Sequence, residues 1–529
     1  MDMSYLELLK LASPEAIVVV TALAVLAIGL TSKYASALCS TAGVLGLILA
    51  AAAVFMLPLN ATLFHGMLVI SPLASLFKII CLTLAFFTII LARSDRSSRH
   101  HGEYLALLLL ATIGLMLLVG SEELLMIFIG LELTGLALYV MTAFDKTDIL
   151  SAEAGLKYFL FGSTASAFTL FGLSLVYGMC GTTGLAAIAQ KLVAQPLQPL
   201  LAAGIVMTLI GFAFKIAAAP FHLWAPDAYQ GAPVSSAAFI ASGSKVASFV
   251  VLGKIVLVGF GPAHGSAAWH AMIAGWAPVL AALAALSIVL GNLVALAQTN
   301  VRRLLAYSAV AHAGYTLLGL VAGGREGFSA TLFYTTVYAF TLVGAFGVVA
   351  LVRRETGGDD FINFSALWSR SPLLAGCMAI FMLSLAGLPP LAGFFGKFYL
   401  FSAAMRAGEW SEWGTNNMDG KAAWGAVIGP GGPIHQNHGL LWLVALALLG
   451  SLISLYYYLI ILKVIFSEPA LSEVERVDQN LEHPGRPRGS LREGGDFLQQ
   501  TTVAVLAIAV LLLGILPGAL LARIIESLS

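Results

Sequence analysis

Four ionisable residues lie within long apolar stretches of this chain, where their side chains could carry protons. Glu132, Lys215, Lys245 and Lys397 are each flanked by largely hydrophobic sequence. An ionisable side chain at the centre of a membrane-spanning helix costs about 2.5–3.5 kcal/mol on insertion scales, so such residues mark ion and proton pathways. The pattern predicts a protein that moves charge across a membrane.

A carboxylate at Glu132 and an ammonium group at Lys215 could stay charged together, because each lowers the cost of burying the other. Separating such a pair favours release of the lysine proton. His312 is a candidate to accept it, since histidine titrates near neutral pH. The candidate proton path consists of Glu132, Lys215, Lys245, His312 and Lys397, with His222 and Lys157 as further candidates.

Proline interrupts two of the apolar stretches close to these lysines. Pro220 follows Lys215, whereas Pro389 and Pro390 precede Lys397. Proline removes a backbone donor and clashes with the preceding turn. In a membrane the freed backbone groups are tolerated only where protein or water satisfies them, as in the broken helices of transporters. The sequence therefore predicts two broken helices.

The elements that carry these residues are predicted to be transmembrane helices. Hydrophobic residues make up 59% of the 529 residues and charged residues 10%, against about 25% charged residues in soluble domains. The apolar runs are continuous and roughly 20 residues long, too long for barrel strands. We predict an all-α polytopic membrane protein of about 14 transmembrane helices. They are centred near Val25, Leu47, Leu82, Leu110, Glu132, Leu170, Ile210, Phe249, Leu286, Ala313, Thr341, Leu385, Leu448 and Ile508.

The loops between the predicted helices alternate in their content of lysine and arginine. Cytoplasmic loops are enriched in these residues, so both termini are predicted on the outer, periplasmic side. Lys78 and Lys254 fall near predicted helix ends, where long side chains are expected to snorkel to the surface. The basic set of loops holds Lys33, Arg93, Arg96, Arg99, Lys146, Arg302, Arg303, Arg353, Arg354, Arg370, Lys463, Arg476, Arg486, Arg488 and Arg492.

The sequence contains no pattern typical of a metal, cofactor or nucleotide site. Its four cysteines are widely separated, without the spacing of a zinc or iron–sulfur site. Neither GxGxxG after a strand nor GxxxxGK[ST] occurs. We expect this chain to bind no metal or cofactor, so that the energy for transport comes from elsewhere.

Four ordered motifs resemble the antiporter-like membrane subunits of proton-pumping NADH:quinone oxidoreductase, respiratory complex I. They are FKIAAAPFHLWAPDAYQGAPVSSAAF, QTNVRRLLAYSAVAHAGYTLLGL, LAGLPPLAGFFGKFYLF and SLISLYYYLIILKVIF, and the resemblance covers nearly the whole chain. The stretch around Lys157 and the SLYYYL before Lys463 resemble the N class of these subunits. The L class would add a long lateral helix, and the M class has glutamate where this chain has Lys397.

The resemblance implies a role for each residue at a matching position. Glu132 would be the carboxylate of the fifth helix and Lys215 the lysine of the broken seventh. Lys245 would be the connecting lysine of the eighth helix, and Lys397 the lysine of the broken twelfth. His312 would line the central polar axis. The breaks near Pro220 and Pro389 would belong to two inverted repeats.

The resemblance also divides the chain into segments. These are an N-terminal three-helix segment (1–103), a first antiporter-like repeat (104–260), a second repeat (261–466) with an external insertion (408–439), a cytoplasmic polar loop (467–500) and a C-terminal transmembrane helix (501–529). Gln230 departs from the family, which more often has glutamate there, and this puts a role for a charge at that position in doubt.

The activity implied is proton translocation across a bacterial plasma (inner) membrane, coupled to electron transfer from NADH to quinone. FMN and iron–sulfur clusters would lie in partner subunits, and this chain would bind none of them. The expected partners are the other membrane and peripheral subunits of the complex, the quinone that the complex uses and membrane lipid. No nucleic-acid partner is expected.

Two other kinds of function share these features. A subunit of a multi-subunit cation/proton antiporter, or of a membrane hydrogenase, would have the same fold and lysines without this redox partner. A membrane scaffold would use the buried charges only to join helices. In a scaffold, neutralising Glu132 or Lys397 would leave proton transport intact.

Overall fold

A computed structural model describes residues 5–31, 35–63, 66–93, 100–194, 197–407, 438–467 and 495–528. Most of the predicted external insertion (408–439) and of the predicted cytoplasmic loop (467–500) lies outside these residues.

The described residues are overwhelmingly helical, as the continuous apolar runs predict. The α-helices are α1 (Tyr5–Leu11), α2 (Ser13–Thr31), α3 (Ala35–Phe55), α4 (Pro72–Ala92), α5 (His101–Val119), α6 (Leu124–Thr142), α7 (Ile149–Cys180), α8 (Leu185–Ala194), α9 (Pro199–Lys215), α10 (Trp224–Gly231), α11 (Val234–Ala241), α12 (Gly243–Gly253), α13 (Trp276–Ala295), α14 (Val301–Ala322), α15 (Gly324–Thr356), α16 (Leu367–Arg370), α17 (Pro372–Ala386), α18 (Ala392–Arg406), α19 (Leu441–Phe466), α20 (Gly495–Ile515) and α21 (Pro517–Ser527).

The remaining regular elements are short. A π-helix (Lys254–Gly259) continues α12, and 3₁₀ turns occur at Gly261–Ala263, Phe361–Phe364 and His438–Leu440. Two antiparallel hairpins lie between helices. They pair β1 (Ala61–Leu63) with β2 (Leu68–Ile70), and β3 (Ser266–Ala268) with β4 (Ala271–Ile273).

The predicted number of membrane crossings is confirmed. Twelve crossings are long and apolar enough to span a bilayer, with α11, α12 and the π-helix counted as one. Two further crossings are made by α9 and α17, which are shorter and are each followed, after a break, by a second helix, α10 and α18. The described residues thus contain the fourteen crossings that hydropathy predicts.

The central crossings are enclosed by the others. In the most apolar 18-residue stretch of each helix, 94% of the residues are buried in α14 and in α15, but only 33% in α2 and in α7. The outer helices expose large apolar side chains, such as Leu23 in α2 and Phe171 in α7. Lipid-facing helices have this pattern, so the ionisable residues of the central crossings are separated from the membrane.

The first break separates α9 from α10, as Pro220 predicts. Its turn holds Ala217 at a positive φ of 57°, a strained conformation for a residue with a side chain. The freed backbone groups find new partners. The amide of Ala219 donates to Ser287 (2.8 Å), and the indole of Trp224 donates to the carbonyl of Phe214 (3.1 Å).

The second break separates α17 from α18, as Pro389 and Pro390 predict. Gly387 ends α17 in the left-handed region, with φ of 86°. The amide of Gly393 donates to the hydroxyl of Ser384 (3.2 Å), so the start of α18 packs directly against the end of α17. A Cβ atom on Gly393 would lie 1.8 Å from the carbonyl oxygen of Ser384, which leaves no room for a side chain.

Gly393→Ala is therefore expected to force the two half-helices apart. Overpacking a tight site costs about 1–3 kcal/mol, and here the clashing atom is backbone. The variant should lower the amount of assembled protein in membranes and its temperature of thermal inactivation. Gly376→Ala is the matched control, because a Cβ at this position in α17 meets nothing within 4 Å. Equal levels of both variants would contradict the prediction.

A third break, which was not predicted from the sequence, interrupts the eighth crossing. α11 ends at Ala241, Ser242 leaves the helical hydrogen-bond pattern, and α12 starts at Gly243. Helix kinks commonly occur at paired glycine and serine, so Ser242-Gly243-Ser244 was an available signal. Lys245 is the third residue after this break.

Candidate functional site

The four basic residues of the candidate path are all buried. The exposed fraction is 7% for Lys215, 2% for Lys245 and His312, and 4% for Lys397. Their charged atoms therefore cannot reach solvent along the surface of the protein. Each one depends on the polar groups that the neighbouring helices supply.

Lys215, the last residue of α9, points toward α6. Its Nζ atom donates to the carbonyl of Leu131 (3.3 Å) and to the hydroxyl of Tyr139 (3.4 Å). The same atom lies 5.5 Å from the centre of the Tyr139 ring, a distance at which a cation is attracted to an aromatic face. Tyr139 therefore supports the charge of Lys215 with both its ring and its hydroxyl.

Glu132 does not form the expected ion pair with Lys215, although both residues are described. Its Oε1 atom accepts a hydrogen bond from Ser166 of α7 (2.5 Å). Lys215 thus contacts the backbone of α6 at Leu131, whereas the Glu132 side chain turns to α7. A Glu132–Lys215 pair requires a rearrangement of at least one of the two side chains.

Lys245, near the start of α12, donates to the carbonyl of Ala309 in α14 (2.7 Å). Its Nζ atom also lies 5.6 Å from the centre of the Tyr338 ring. The N-terminal end of a helix is the unfavourable end for a cation. The Ala309 carbonyl and the Tyr338 ring therefore supply the stabilisation that the helix does not.

His312 occupies the centre of a group of tyrosines. Its Nδ1 lies 2.5 Å from the hydroxyl of Tyr334, and its Nε2 lies 3.0 Å from the hydroxyl of Tyr458. Tyr458 in turn hydrogen-bonds to Ser308. Both ring nitrogens thus have a partner that can donate or accept a proton.

Lys397 reaches back from α18 across the second break. Its Nζ atom donates to the carbonyl of Ala386, the last residue of α17 (3.0 Å), and to Ser451 of α19 (2.9 Å). A cation is favourable at the C-terminal end of a helix. The ammonium group also lies 5.1 Å from the centre of the Tyr315 ring.

Two tyrosine rings connect these groups into a line. Tyr338 lies between Lys245 and His312, with 4.9 Å between its ring centre and that of His312. Tyr315 lies between His312 and Lys397, with 5.7 Å to the His312 ring. The structure therefore brings Lys245, His312 and Lys397 together around shared aromatic side chains.

A small cavity, with space for about one water molecule, adjoins this line. Its lining includes His312, Tyr334, Tyr338, Ser384 and Gly393. The hydroxyl of Tyr338 is buried without a hydrogen-bond partner among the described residues. A space of this size next to an unsatisfied hydroxyl and other polar side chains can hold one water molecule, between the second break and His312.

The tyrosines and serines of this network were not predicted from the sequence. The missed residues are Tyr139, Ser166, Tyr315, Tyr334, Tyr338, Ser451 and Tyr458. Tyr315 follows His312 in the motif YSAVAHAGY, and Ser451 and Tyr458 fall within SLISLYYYLIILKVIF, so these two motifs were the local signals. The others lie on helices distant in sequence, and only the packing of the helices brings them to the lysines.

Lys157 and His222 have different surroundings. Lys157 is 40% exposed and forms ion pairs with Glu153 (2.6 Å) and Asp227 (2.7 Å). His222 is buried, with its ring 6.2 Å from that of Tyr307 and no hydrogen-bond partner for its Nδ1 among the described residues. Neither residue contacts the line around His312.

Asp227 links the first break to two other helices. Its second oxygen accepts from Arg303 of α14 (2.8 Å), and Arg303 also donates to Gln230 (3.0 Å). An amide oxygen at position 230 thus accepts the hydrogen bond that a carboxylate could also accept. A negative charge at position 230 is therefore not required to bind Arg303.

Lys78 and Lys254 do not snorkel, contrary to the prediction. Their exposed fractions are 1% and 0%. Lys78 pairs with Glu15 (2.6 Å), and Lys254 lies 3.7 Å from Glu122. Both lysines are near helix ends, but neighbouring helices cover them, so the side chains find their partners inside the protein.

The described residues contain no group of three or more histidine, cysteine, aspartate or glutamate side chains placed to hold a metal ion. The four cysteines are buried and unpaired.

Comparison with known proteins identifies relatives along the whole chain. The family described as NADH:quinone oxidoreductase/Mrp antiporter, TM, matches residues 121–417. NADH-quinone oxidoreductase subunit N 2 of Acidobacterium capsulatum is 43% identical, with 98% of each chain covered. A subunit N of Desulforamulus reducens is 36% identical, with 87% of this chain and 85% of the relative covered.

Two solved assemblies contain similar chains. A chain of respiratory complex I from Thermus thermophilus with bound aureothin superposes with a TM-score of 0.72 at 31% identity, over 96% of this chain and 98% of that one. A chain of the Mrp complex from Dietzia sp. DQ12-45-1b reaches a TM-score of 0.76 at 20% identity, over 97% of each chain. At this lower identity the similarity shows a common fold only.

Proposed function

Because the chain belongs to the subunit N family of NADH-quinone oxidoreductase, we propose that it translocates protons as a membrane subunit of such a complex. Electron transfer from NADH to quinone, through FMN and iron–sulfur centres in partner subunits, supplies the energy. The chain itself holds no redox centre. It lies in a bacterial plasma membrane, with both termini on the periplasmic side.

The buried line of Lys245, Tyr338, His312, Tyr315 and Lys397 is the observation that carries this proposal. These side chains are buried in the protein, and they lie beside the second break and a small cavity. Each lysine has a neutral hydrogen-bond partner, so it can lose its proton without leaving an unpaired carboxylate. A proton can then move between the two lysines through His312 and water.

The first group of residues on the proposed proton path consists of Lys215, Tyr139 and Glu132. Protons enter from the cytoplasmic side and protonate Lys215. In the present arrangement Glu132 is engaged by Ser166, and a shift toward Lys215 would stabilise the protonated lysine. The reverse shift would favour transfer of the proton onward to Lys245.

The surroundings of Lys245 and Lys397 argue against a purely structural role. Charges that join helices are paired with opposite charges, as Arg302 is with Asp359 at 2.8 Å. Among the described residues, neither Lys245 nor Lys397 has an acidic partner within 4.0 Å. A buried ammonium without a counter-ion is a costly way to join helices, but it suits a group that must release a proton.

Isolation of the tagged chain from mild detergent tests the assembly. We expect it to co-purify with subunits that contain FMN and iron–sulfur centres and that oxidise NADH with a quinone acceptor. A tag on an unrelated membrane protein of the same cells controls for carry-over. Co-purification with small hydrophobic subunits alone, without NADH oxidation, would instead indicate a cation/proton antiporter.

A further inference from the structure

A second group of buried charges surrounds the end of α5, away from the candidate path. It consists of Glu15, Lys78, Glu122 and Lys254, and we call it the α5-end cluster. Glu15 comes from the first turn of α2, Lys78 from the second turn of α4, Glu122 from the turn after α5, and Lys254 from the start of the π-helix. In the proposed topology this end of the helices faces the periplasm.

Both ammonium groups lie against the same turn of backbone. Lys254 donates to the carbonyl of Val119, the last residue of α5 (2.8 Å), and lies 3.5 Å from that of Ser121. A Cβ atom on Gly120 would lie 3.3 Å from the Nζ atom of Lys78. One cation at this position would stabilise the C-terminal end of α5. Two buried cations at one helix end repel each other, so capping alone does not account for them.

The two lysines have unequal partners. Lys78 is held by Glu15 at 2.6 Å, and both side chains are almost fully buried. Lys254 lies 3.7 Å from Glu122, whose side chain is 20% exposed. The Lys254–Glu122 contact therefore joins a fully buried ammonium group to a carboxylate that reaches water.

The eighth crossing connects this cluster to the candidate path. Lys245 and Lys254 lie on the same crossing, and the π-helix begins at Lys254. Ser248 lies between them in the sequence, and its buried hydroxyl has no hydrogen-bond partner among the described residues. The buried hydroxyls of Thr112 and Thr142, in contrast, each donate to a carbonyl of their own helix. The Ser248 hydroxyl is thus free to bind water, and π-helical segments often mark functional positions.

We propose that Lys254 and Glu122 form a proton-release site: Lys254 receives a proton from the interior and transfers it to Glu122, which passes it to water on the periplasmic side. Lys78 is a positioning residue, whose charge beside the same turn disfavours a lasting charge on Lys254. This inference rests on the proposed function, because it adds an exit to the same proton path.

Substitution of Lys254 can distinguish a role in proton release from a role in capping α5. Lys254→Arg keeps the positive charge at the end of α5 but cannot release its proton. In inverted membrane vesicles that contain the assembled complex, we expect Lys254→Arg and Lys254→Met to lower the number of protons pumped per electron by the same amount. Full pumping by Lys254→Arg with loss in Lys254→Met would reduce Lys254 to a capping residue and overturn the proposal.

Glu122→Gln provides a second test, should arginine not fit at position 254. It preserves the shape of the partly exposed side chain and should also lower the proton-to-electron ratio. Lys191→Met, at an exposed residue of α8 on the same side of the protein, is the control and should pump as the wild type does. If Glu122→Gln pumps normally while Lys215→Ala does not, only the release site fails and the proposed function stands. If Lys215→Ala also pumps normally, the proposed function fails.

Discussion

Lys215→Ala is expected to reduce proton pumping by about 100-fold while the complex remains assembled in the membrane. A positioned proton-transfer group typically contributes about 100-fold or more to a rate. The substitution removes the ammonium group that binds the Leu131 carbonyl and Tyr139. Alanine suits the end of a helix, so α9 itself should form normally. Quinone reduction should fall with pumping where the two are coupled.

The measurement combines NADH oxidation with acidification of inverted vesicles. Lys191→Ala is the matched control, because this lysine is exposed in α8. Lys215→Arg adds a further comparison, since it keeps the charge beside Tyr139 but cannot give up a proton. Pumping at the wild-type rate by Lys215→Ala would contradict the assignment of this residue to the path.

Lys397→Arg is expected to abolish pumping through the second break with little effect on assembly. The guanidinium group can still donate to the Ala386 carbonyl and to Ser451, and it can still lie over Tyr315. It stays protonated at every physiological pH. A proton arriving from His312 would therefore find no acceptor.

Lys463→Arg, at an exposed residue in the last turn of α19, is the control for the effect of a lysine-to-arginine substitution as such. Proton pumping and the amount of assembled complex are measured for both variants in the same vesicles. Normal pumping by Lys397→Arg would mean that a fixed charge is sufficient at this position, so Lys397 would not carry the proton.

The two broken helices explain why their lysines lie on opposite sides of the prolines in the sequence. Lys215 is the last residue of α9, before Pro220. Lys397 is in α18, after Pro390, but its Nζ atom folds back to the last carbonyl of α17. Both residues thus lie where a half-helix ends. Comparing the positions of the lysines in the sequence hides this relation, whereas the direction of the side chains reveals it.

The sequence by itself determined the membrane class, the fourteen crossings and the positions of two breaks. Each follows from a local property. Long apolar runs must form helices in a bilayer because no water is present to satisfy the backbone, and proline disrupts the helix where it occurs. The same reasoning identified Lys215, Lys245 and Lys397, because a charge in an apolar run is visible without knowing its neighbours.

Only the tertiary structure decided which groups these residues meet. Glu132 turns to Ser166 instead of Lys215, and Tyr338 and Tyr315 join His312 to two lysines. Lys78 and Lys254 lie near helix ends but are covered by other helices. The direction in which a side chain faces, and the helix that lies opposite, depend on how helices distant in sequence pack together. Hydropathy gives the depth of a residue in the membrane, but only packing gives its partners.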